Sequence, residues 1–259
     1  MRCAVIGHVE WTEFVFVERV PAPGEIAHGE GVFAEPAGGG AVVAAQLAAL
    51  AGSCDLYTAL GTDDLAERSI GRLGELGVRV IAERFGQTRR AVTLVDAQRE
   101  RTITTIGPKL RPRGPLEIAA YDAVFFVAGE VATLRSARSA SFLAATPREI
   151  ATLREGGVRI DLLVGSATDP GERYAGGLDV ECVVGTEGAA GGWVDGRRYA
   201  PAPPPGPLED TYGAGDSFAA ALCFALARGD GLEGALALAA RAGAAVVSGR
   251  GPFAAQITD

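Results

Sequence analysis

A chain of 259 residues that is 48% hydrophobic can bury a full core and fits one large α/β domain, with or without a small appendage. Its formal charge of −8 disfavours a nucleic-acid partner, because binding a phosphate backbone needs a concentrated basic face. No apolar run approaches the roughly 20 residues of a membrane span, and the chain enters Arg2 to Ile6 without the leader of a secreted protein, so a cytoplasmic protein with no membrane partner is expected. Cys3, Cys54, Cys182 and Cys223 are scattered, which argues against a zinc site and against a disulfide framework. Lys109 is the single lysine and lies in no Gly-rich P-loop, so a Walker-type nucleotide site is excluded.

Residues 2–7 read as a buried strand, and Gly7 opens into a loop over 8–13, the kind of place where open α/β sheets hold ligands. Weak alternation from Phe14 to Phe33, interrupted at 21–25, predicts strands of an accessory sheet. Gly38, Gly39 and Gly40 then turn into an alanine-rich helix that runs through Leu50. A strand over 54–59 leads to Gly61-Thr62-Asp63 and a helix with Leu65, Ile70, Leu73 and Leu76 on one face, capped by Thr62 or Asp63. Residues 77–81 start a second small strand region, followed by a hairpin of 90–95 and 102–106, and both are polar enough for a half-exposed sheet.

From Val124 a βα alternation resumes, with strands over 124–127, 141–144, 161–164 and 181–184 and a helix over 148–155, which predicts a mostly parallel sheet. The proline-rich segment 201–207 is a stiff surface connection, and helices follow over 214–227 and 232–247. There are no repeats and no long linker. The expectation is one domain over 1–259 whose accessory strands, from about 13–36 and 88–106, form a lid.

The most informative stretch is EDTYGAGDSF, residues 209–218. Gly213 and Gly215 allow a tight turn and leave no side chain between the backbone amides and an approaching anion. The Ala/Leu helix that follows directs its dipole and unpaired N–H groups into that turn, an arrangement that attracts phosphate. Asp216 sits in the first helical turn. Phosphoryl transfer asks a protein mainly for positioning, charge stabilisation and a carboxylate to accept the hydroxyl proton.

DTYGAGDSF resembles the D-T-x-G-A-G-D signature of the ribokinase-like (PfkB) carbohydrate kinases. Further segments resemble that family in order: Pro-x-Pro-Gly-Glu at 21–25, the glycine turn near 37–51, Leu-Gly-x-Asp at 60–63, Thr88-Arg89, Glu100-Arg101-Thr102, the segment 184–189 and the closing loop 247–252. The resemblance implies a mostly parallel central sheet flanked by helices, with a small β-sheet lid. It also implies an ATP-dependent phosphotransferase acting on a hydroxymethyl group of a sugar, sugar acid or nucleoside, with Mg²⁺ and a monovalent cation as further cofactor candidates. Asp216 would be the general base, and the amides of Gly213, Ala214 and Gly215 the anion hole. Thr211 and Asp210 would support the turn, with Thr211 also on the nucleotide side beside Gly185, Glu187, Gly188, Gly249 and Gly251. Glu10, Thr12, Gly38, Gly39 and Arg89 would bind the acceptor, and Asp169 would organise magnesium.

Three departures bear on function. Glu10 and Thr12 stand where the family usually places Asn or Asp, and Val42 stands at the usual asparagine. Ser166-Ala167-Thr168-Asp169 is the best match to its N-x-x-E motif. They motivate an alternative, a ligand-binding or regulatory protein on the same fold. A nicotinamide-dependent oxidoreductase is disfavoured, because no G-x-G-x-x-G turn follows the first strand. Phe14, Phe16, Val92 and Leu94 suggest an apolar lid face and a homodimer formed through it.

Overall fold

Cys3-Ala4-Val5-Ile6 is apolar at every position and all four side chains are buried, as a strand covered on both faces requires. Alternation then assigns the faces: Cys3 and Val5 join one core cluster, Ala4 and Ile6 the other. The computed structural model describes residues 1–258.

In the first half the elements are β1 (Cys3–Ile6), β2 (Glu10–Phe16), β3 (Gly31–Ala37), α1 (Gly39–Ala51), β4 (Cys54–Leu60), α2 (Asp64–Glu75), β5 (Val78–Arg84), β6 (Arg90–Val95) and β7 (Arg101–Ile106). The second half has β8 (Ala123–Phe126), α3 (Val131–Ala137), β9 (Phe142–Ala145), α4 (Ile150–Gly156), β10 (Ile160–Ser166), β11 (Val180–Thr186), β12 (Gly192–Val194), β13 (Arg197–Tyr199), α5 (Ala214–Arg228) and α6 (Leu232–Val246). Among the described residues these build a nine-stranded sheet in the order β13-β12-β11-β10-β9-β8-β1-β4-β5 and a four-stranded sheet in the order β3-β2-β6-β7. The large sheet is parallel from β5 to β11, and β12 and β13 add antiparallel at its far edge. Helices α1, α5 and α6 cover the face that carries Cys3 and Val5, and α3 and α4 cover the other.

Residues 77–81 therefore do not start a second small strand region. Residues 78–81 belong instead to β5, which pairs parallel with β4 along its whole length and closes one edge of the main sheet. Their alternating exposure is that of an edge strand, which composition does not separate from a small independent sheet. Helix α3 and the β12–β13 hairpin carry too few residues to give a periodic signal.

In the small sheet β2 pairs with β6 in parallel, while β3 and β7 flank them antiparallel. Phe14 and Phe16 point inward: both are buried, and Phe14 stacks on Phe33 at 4.8 Å and meets Tyr212 edge-on at 5.0 Å. The register places Val15, Val92 and Leu94 on the opposite face with Val32, which is 71% exposed. The outward apolar face thus excludes the two phenylalanines, contrary to the expectation from sequence.

Asp63 joins the start of α2 to the segment that leads into β6. Its carboxylate caps α2 by accepting from Ala66 N, and it also accepts from Thr88 N and Thr88 Oγ1, both at 2.7 Å. Further along α2, Arg72 pairs with Glu35 on β3 at 2.9 Å.

At the C-terminal end of β1 the backbones of two elements nearly touch. A Cβ on Gly40 would lie 2.5 Å from His8 O and 2.8 Å from Gly7 C, so the first turn of α1 approaches β1 more closely than any side chain allows. Gly40→Ala is expected to destabilise the protein by about 3 kcal/mol, seen as a lower denaturant midpoint at unchanged slope.

Candidate active site

Helix α5 begins at Ala214 because Gly213 adopts φ +82° and turns the chain into it. Ser217 N donates to Gly213 O at 2.8 Å as the first helical bond, so the amides of Ala214, Gly215 and Asp216 have no intrahelical acceptor. Just before the turn, fully buried Asp210 accepts from Tyr212 N at 2.7 Å and from Gly251 N at 3.1 Å, tying this loop to the one after α6. Thr211 receives Arg101 from β7 on both its carbonyl and its hydroxyl at 3.2 Å. The small sheet is therefore fastened to the glycine turn.

Asp216 faces a cleft of about 300 Å³ lined by Gly213, Gly215, Arg101, Arg148, Asp169 and Glu172. Gly39 bounds the site on the α1 side, where an added Cβ would lie 3.2 Å from Asp216 Oδ1. Burial pushes the Asp216 carboxyl up to about 6, and the negative charge of Glu172 adds to it, while Arg101 and Arg148 pull it back. A carboxylate so tuned is ionised at neutral pH yet close enough to it to take and return a proton. A second cleft of about 360 Å³, lined by Gly185, Trp193 and Asp195, adjoins the first at Gly165, Ser166 and Glu172.

The residues expected from sequence separate into groups. Gly213, Ala214, Gly215 and Asp216 form one short piece of backbone at the cleft. Gly38, Gly39 and Glu10 adjoin it: Gly38 is the N-cap of α1, with His8 and Glu10 packed against it. Glu10 is buried and lies 3.5 Å from Arg89 in an ion pair, with Glu10 Oε2 and Arg89 Nε making no hydrogen bond among the described residues. Burial raises the Glu10 carboxyl, and Arg89 opposes the rise. Thr12 is fully buried behind the site, beside the Tyr212 hydroxyl that accepts from Gly38 N. Arg90 lies on the outer face with Glu13.

On the expected nucleotide side, Gly185 lines the second cleft, but Glu187 is engaged by Arg198 at 2.9 Å and by Trp193 Nε1 at 2.7 Å. Gly188, at φ +57°, opens the turn after Glu187. Gly249 and Gly251 line neither cleft. A Cβ on Gly249 would meet Ala255 at 2.9 Å, and one on Gly251 would meet the Phe33 ring at 2.8 Å, so close packing accounts for both glycines. Val42 is fully buried beneath Gly213 and packs rather than facing the cleft.

Asp169 has no free oxygen. Its Oδ1 accepts from Gly171 N at 2.8 Å, and its Oδ2 from Arg148 Nη2 at 2.6 Å. Glu172 is held likewise, by Arg148 on Oε1 and by Ser166 N at 2.7 Å on Oε2. Among the described residues no group of three or more His, Cys, Asp or Glu is placed to hold a metal. As direct magnesium ligands, the residues of this segment do not fit.

Arg101, Arg148 and Glu172 escaped the sequence reading as site residues. Arg148 was legible only as the start of a helix, and Glu172 lies past the expected motif spacing, in an Asp-Pro-Gly-Glu turn closed by Glu172 N on Asp169 O. Arg101 stood in a segment already matched to the family, but nothing in it announced its reach to Thr211. His8 is held neutral, its imidazole lowered to about 3 by burial and by the charges of Lys109, Arg89, Arg111 and Arg148.

Residues 173–258 match the model of the pfkB family carbohydrate kinases. No curated protein matches the chain. Among solved structures, a ribokinase from Arabidopsis thaliana complexed with ribose and ATP aligns with a TM-score of 0.76 at 22% identity, over 99% of this chain and 96% of that one. An adenosine kinase from Sinorhizobium meliloti aligns at 0.77 and 17% identity, over 97% and 95%. A ribokinase from Cryptococcus neoformans var. grubii serotype A in complex with ADP aligns at 0.73 and 22%, over 99% and 96%. At these identities the structures establish the fold, and the matched segment contains the glycine turn and Asp216. Over residues 173–258 the chain is thus similar to the pfkB family carbohydrate kinases, and its fold is the one those ribokinase and adenosine kinase structures share.

Proposed function

We propose that this protein transfers a phosphoryl group from ATP to a hydroxymethyl group of a sugar, sugar acid or nucleoside. The observation that carries the reading is the raised carboxyl of Asp216 beside the unpaired amides of α5, facing one cleft. Gly39, lacking a side chain, leaves room for the acceptor hydroxyl against Asp216 Oδ1. Asp216 accepts the hydroxyl proton as the oxygen attacks the γ-phosphorus and the bond from that phosphorus to the bridging oxygen breaks, ADP leaving with that oxygen; the proton passes to solvent after the phosphate ester has formed. The amides of Gly213, Ala214 and Gly215 hold the equatorial oxygens of the phosphoryl group in flight. Arg101 brings a positive charge to the same oxygens from the small sheet, which acts as a lid and keeps water from the base.

Glu10, Gly38, Gly39 and Arg89 bound the acceptor side, with Thr12 supporting them from behind. Gly185, Gly188 and Thr211 lie along the donor side, whereas Glu187, Gly249 and Gly251 shape its loops. Mg²⁺ would enter on the nucleotide's own phosphates, and no step here runs through a protein-bound metal or a monovalent cation. A homodimer would use the outward face of the small sheet at Val15, Val32, Val92 and Leu94. The structure has no helix long and apolar enough to cross a membrane among its described residues.

The test is the pH profile of kcat/KM with the best acceptor. An acid limb of unit slope with its midpoint near the value of Asp216, about 6, is expected. A flat profile down to the ordinary carboxylate range would remove Asp216 from the base role.

A further inference from the structure

Arg148 sits just ahead of α4 and reaches across to the turn after β10. Its Nη2 lies 2.6 Å from Asp169 Oδ2 and 2.7 Å from Glu172 Oε1, and its Nε lies 3.0 Å from Glu172 Oε1. One guanidinium thus binds two carboxylates that belong to one tight turn. The remaining oxygen of each accepts a backbone amide, from Gly171 on Asp169 and from Ser166 on Glu172, so all four oxygens are satisfied. Arg148 and both acids also line the cleft that Asp216 faces. A planar, permanently charged fork suits such a pair, because it forms several charge-assisted hydrogen bonds without being stripped of a tight hydration shell, as Mg²⁺ would be.

We infer that Arg148 is a built-in cation that occupies the place of a protein-bound divalent ion at the Asp169–Glu172 turn. It fixes both carboxylates and sets a positive charge on the wall of the cleft. A divalent ion could take these oxygens only by expelling the guanidinium and leaving its charge without a partner. The kinase reading is touched in one respect only: the metal that this chain uses arrives on the nucleotide. Mutual ion pairing agrees with this placement, lowering the Asp169 carboxyl through Arg148.

The experiment is a titration of the nucleotide-free full-length protein with Mn²⁺, followed by the electron paramagnetic resonance of the free ion. It needs no turnover, so its outcome is separate from that of the kinase assay. Wild type is expected to show no stoichiometric site. Arg148→Met, which frees Asp169 Oδ2 and Glu172 Oε1, is expected to gain one Mn²⁺ per chain with affinity ~tenfold or more above wild type, and Arg148→Met combined with Glu172→Gln to lose it again. Arg148→Lys, which keeps the charge, is expected to stay metal-free, and it serves if the methionine variant does not fold. One tight Mn²⁺ in wild type that disappears in Glu172→Gln would overturn the inference. So would a folded Arg148→Met protein that binds no better than wild type.

Discussion

Asp216→Asn is expected to lower phosphoryl transfer by about 10³-fold while making the folded protein more stable at neutral pH. The two effects share one cause. Burial and the charge of Glu172 raise the carboxyl from its ordinary 3.8 to about 6, so the fold disfavours the charged form that catalysis requires. Between those two values the folded protein holds a proton that the unfolded chain has released. Stability is therefore lost as pH rises through about 6 and is fully present below about 4. An amide at this position removes the penalty. The gain should be on the order of 2 kcal/mol above pH 6, after allowance for partial solvent access, and should vanish below pH 4. Thermal melts of both proteins at pH 4 and pH 7.5 check the sign. Equal melting differences at the two pH values would show that Asp216 is not charged at a cost.

Arg101→Met is expected to reduce kcat by about 10²-fold. Arg101 makes no salt bridge among the described residues and is held by the carbonyl and hydroxyl of Thr211, with its guanidinium 6.0 Å from the Tyr212 ring centre. It is the cation that β7 brings to the cleft. Because its charge pulls the Asp216 carboxyl down, its loss should also move the acid limb of kcat/KM to higher pH. A purely structural role in fastening the small sheet would lower stability and leave that limb in place. Arg101→Lys should recover part of the rate and restore the limb, since a point charge replaces the fork.

The glycine turn was legible because its chemistry is local. Gly213, Gly215 and Asp216 lie on one piece of backbone at one helix start, so their spacing alone describes the geometry. The central strands were legible for a similar reason, since continuous apolar runs such as 3–6 and 123–126 occur where both faces of a sheet are covered. What was not legible depends on contacts distant in sequence. Arg148 meets Glu172 across 24 residues and Arg101 meets Thr211 across 110, and no periodicity records such pairs. The face that Phe14 presents is settled by Tyr212 and Phe33, which lie on other elements. Gly249 and Gly251, matched in sequence to the family's nucleotide side, pack against Ala255 and Phe33, neighbours that no local spacing announces.

The central claim is tested most directly by ADP release from Mg·ATP with wild-type protein across a panel of pentoses, hexoses, sugar acids and nucleosides, with mass spectrometry of the acceptor. The account predicts that one acceptor class raises ADP release by about 10²-fold or more above the acceptor-free rate and gains one phosphate on its hydroxymethyl oxygen. If every acceptor left ADP release at the acceptor-free rate while one of them still raised the melting temperature, the protein would be a ligand-binding member of its fold, and the catalytic reading of Asp216 would be wrong.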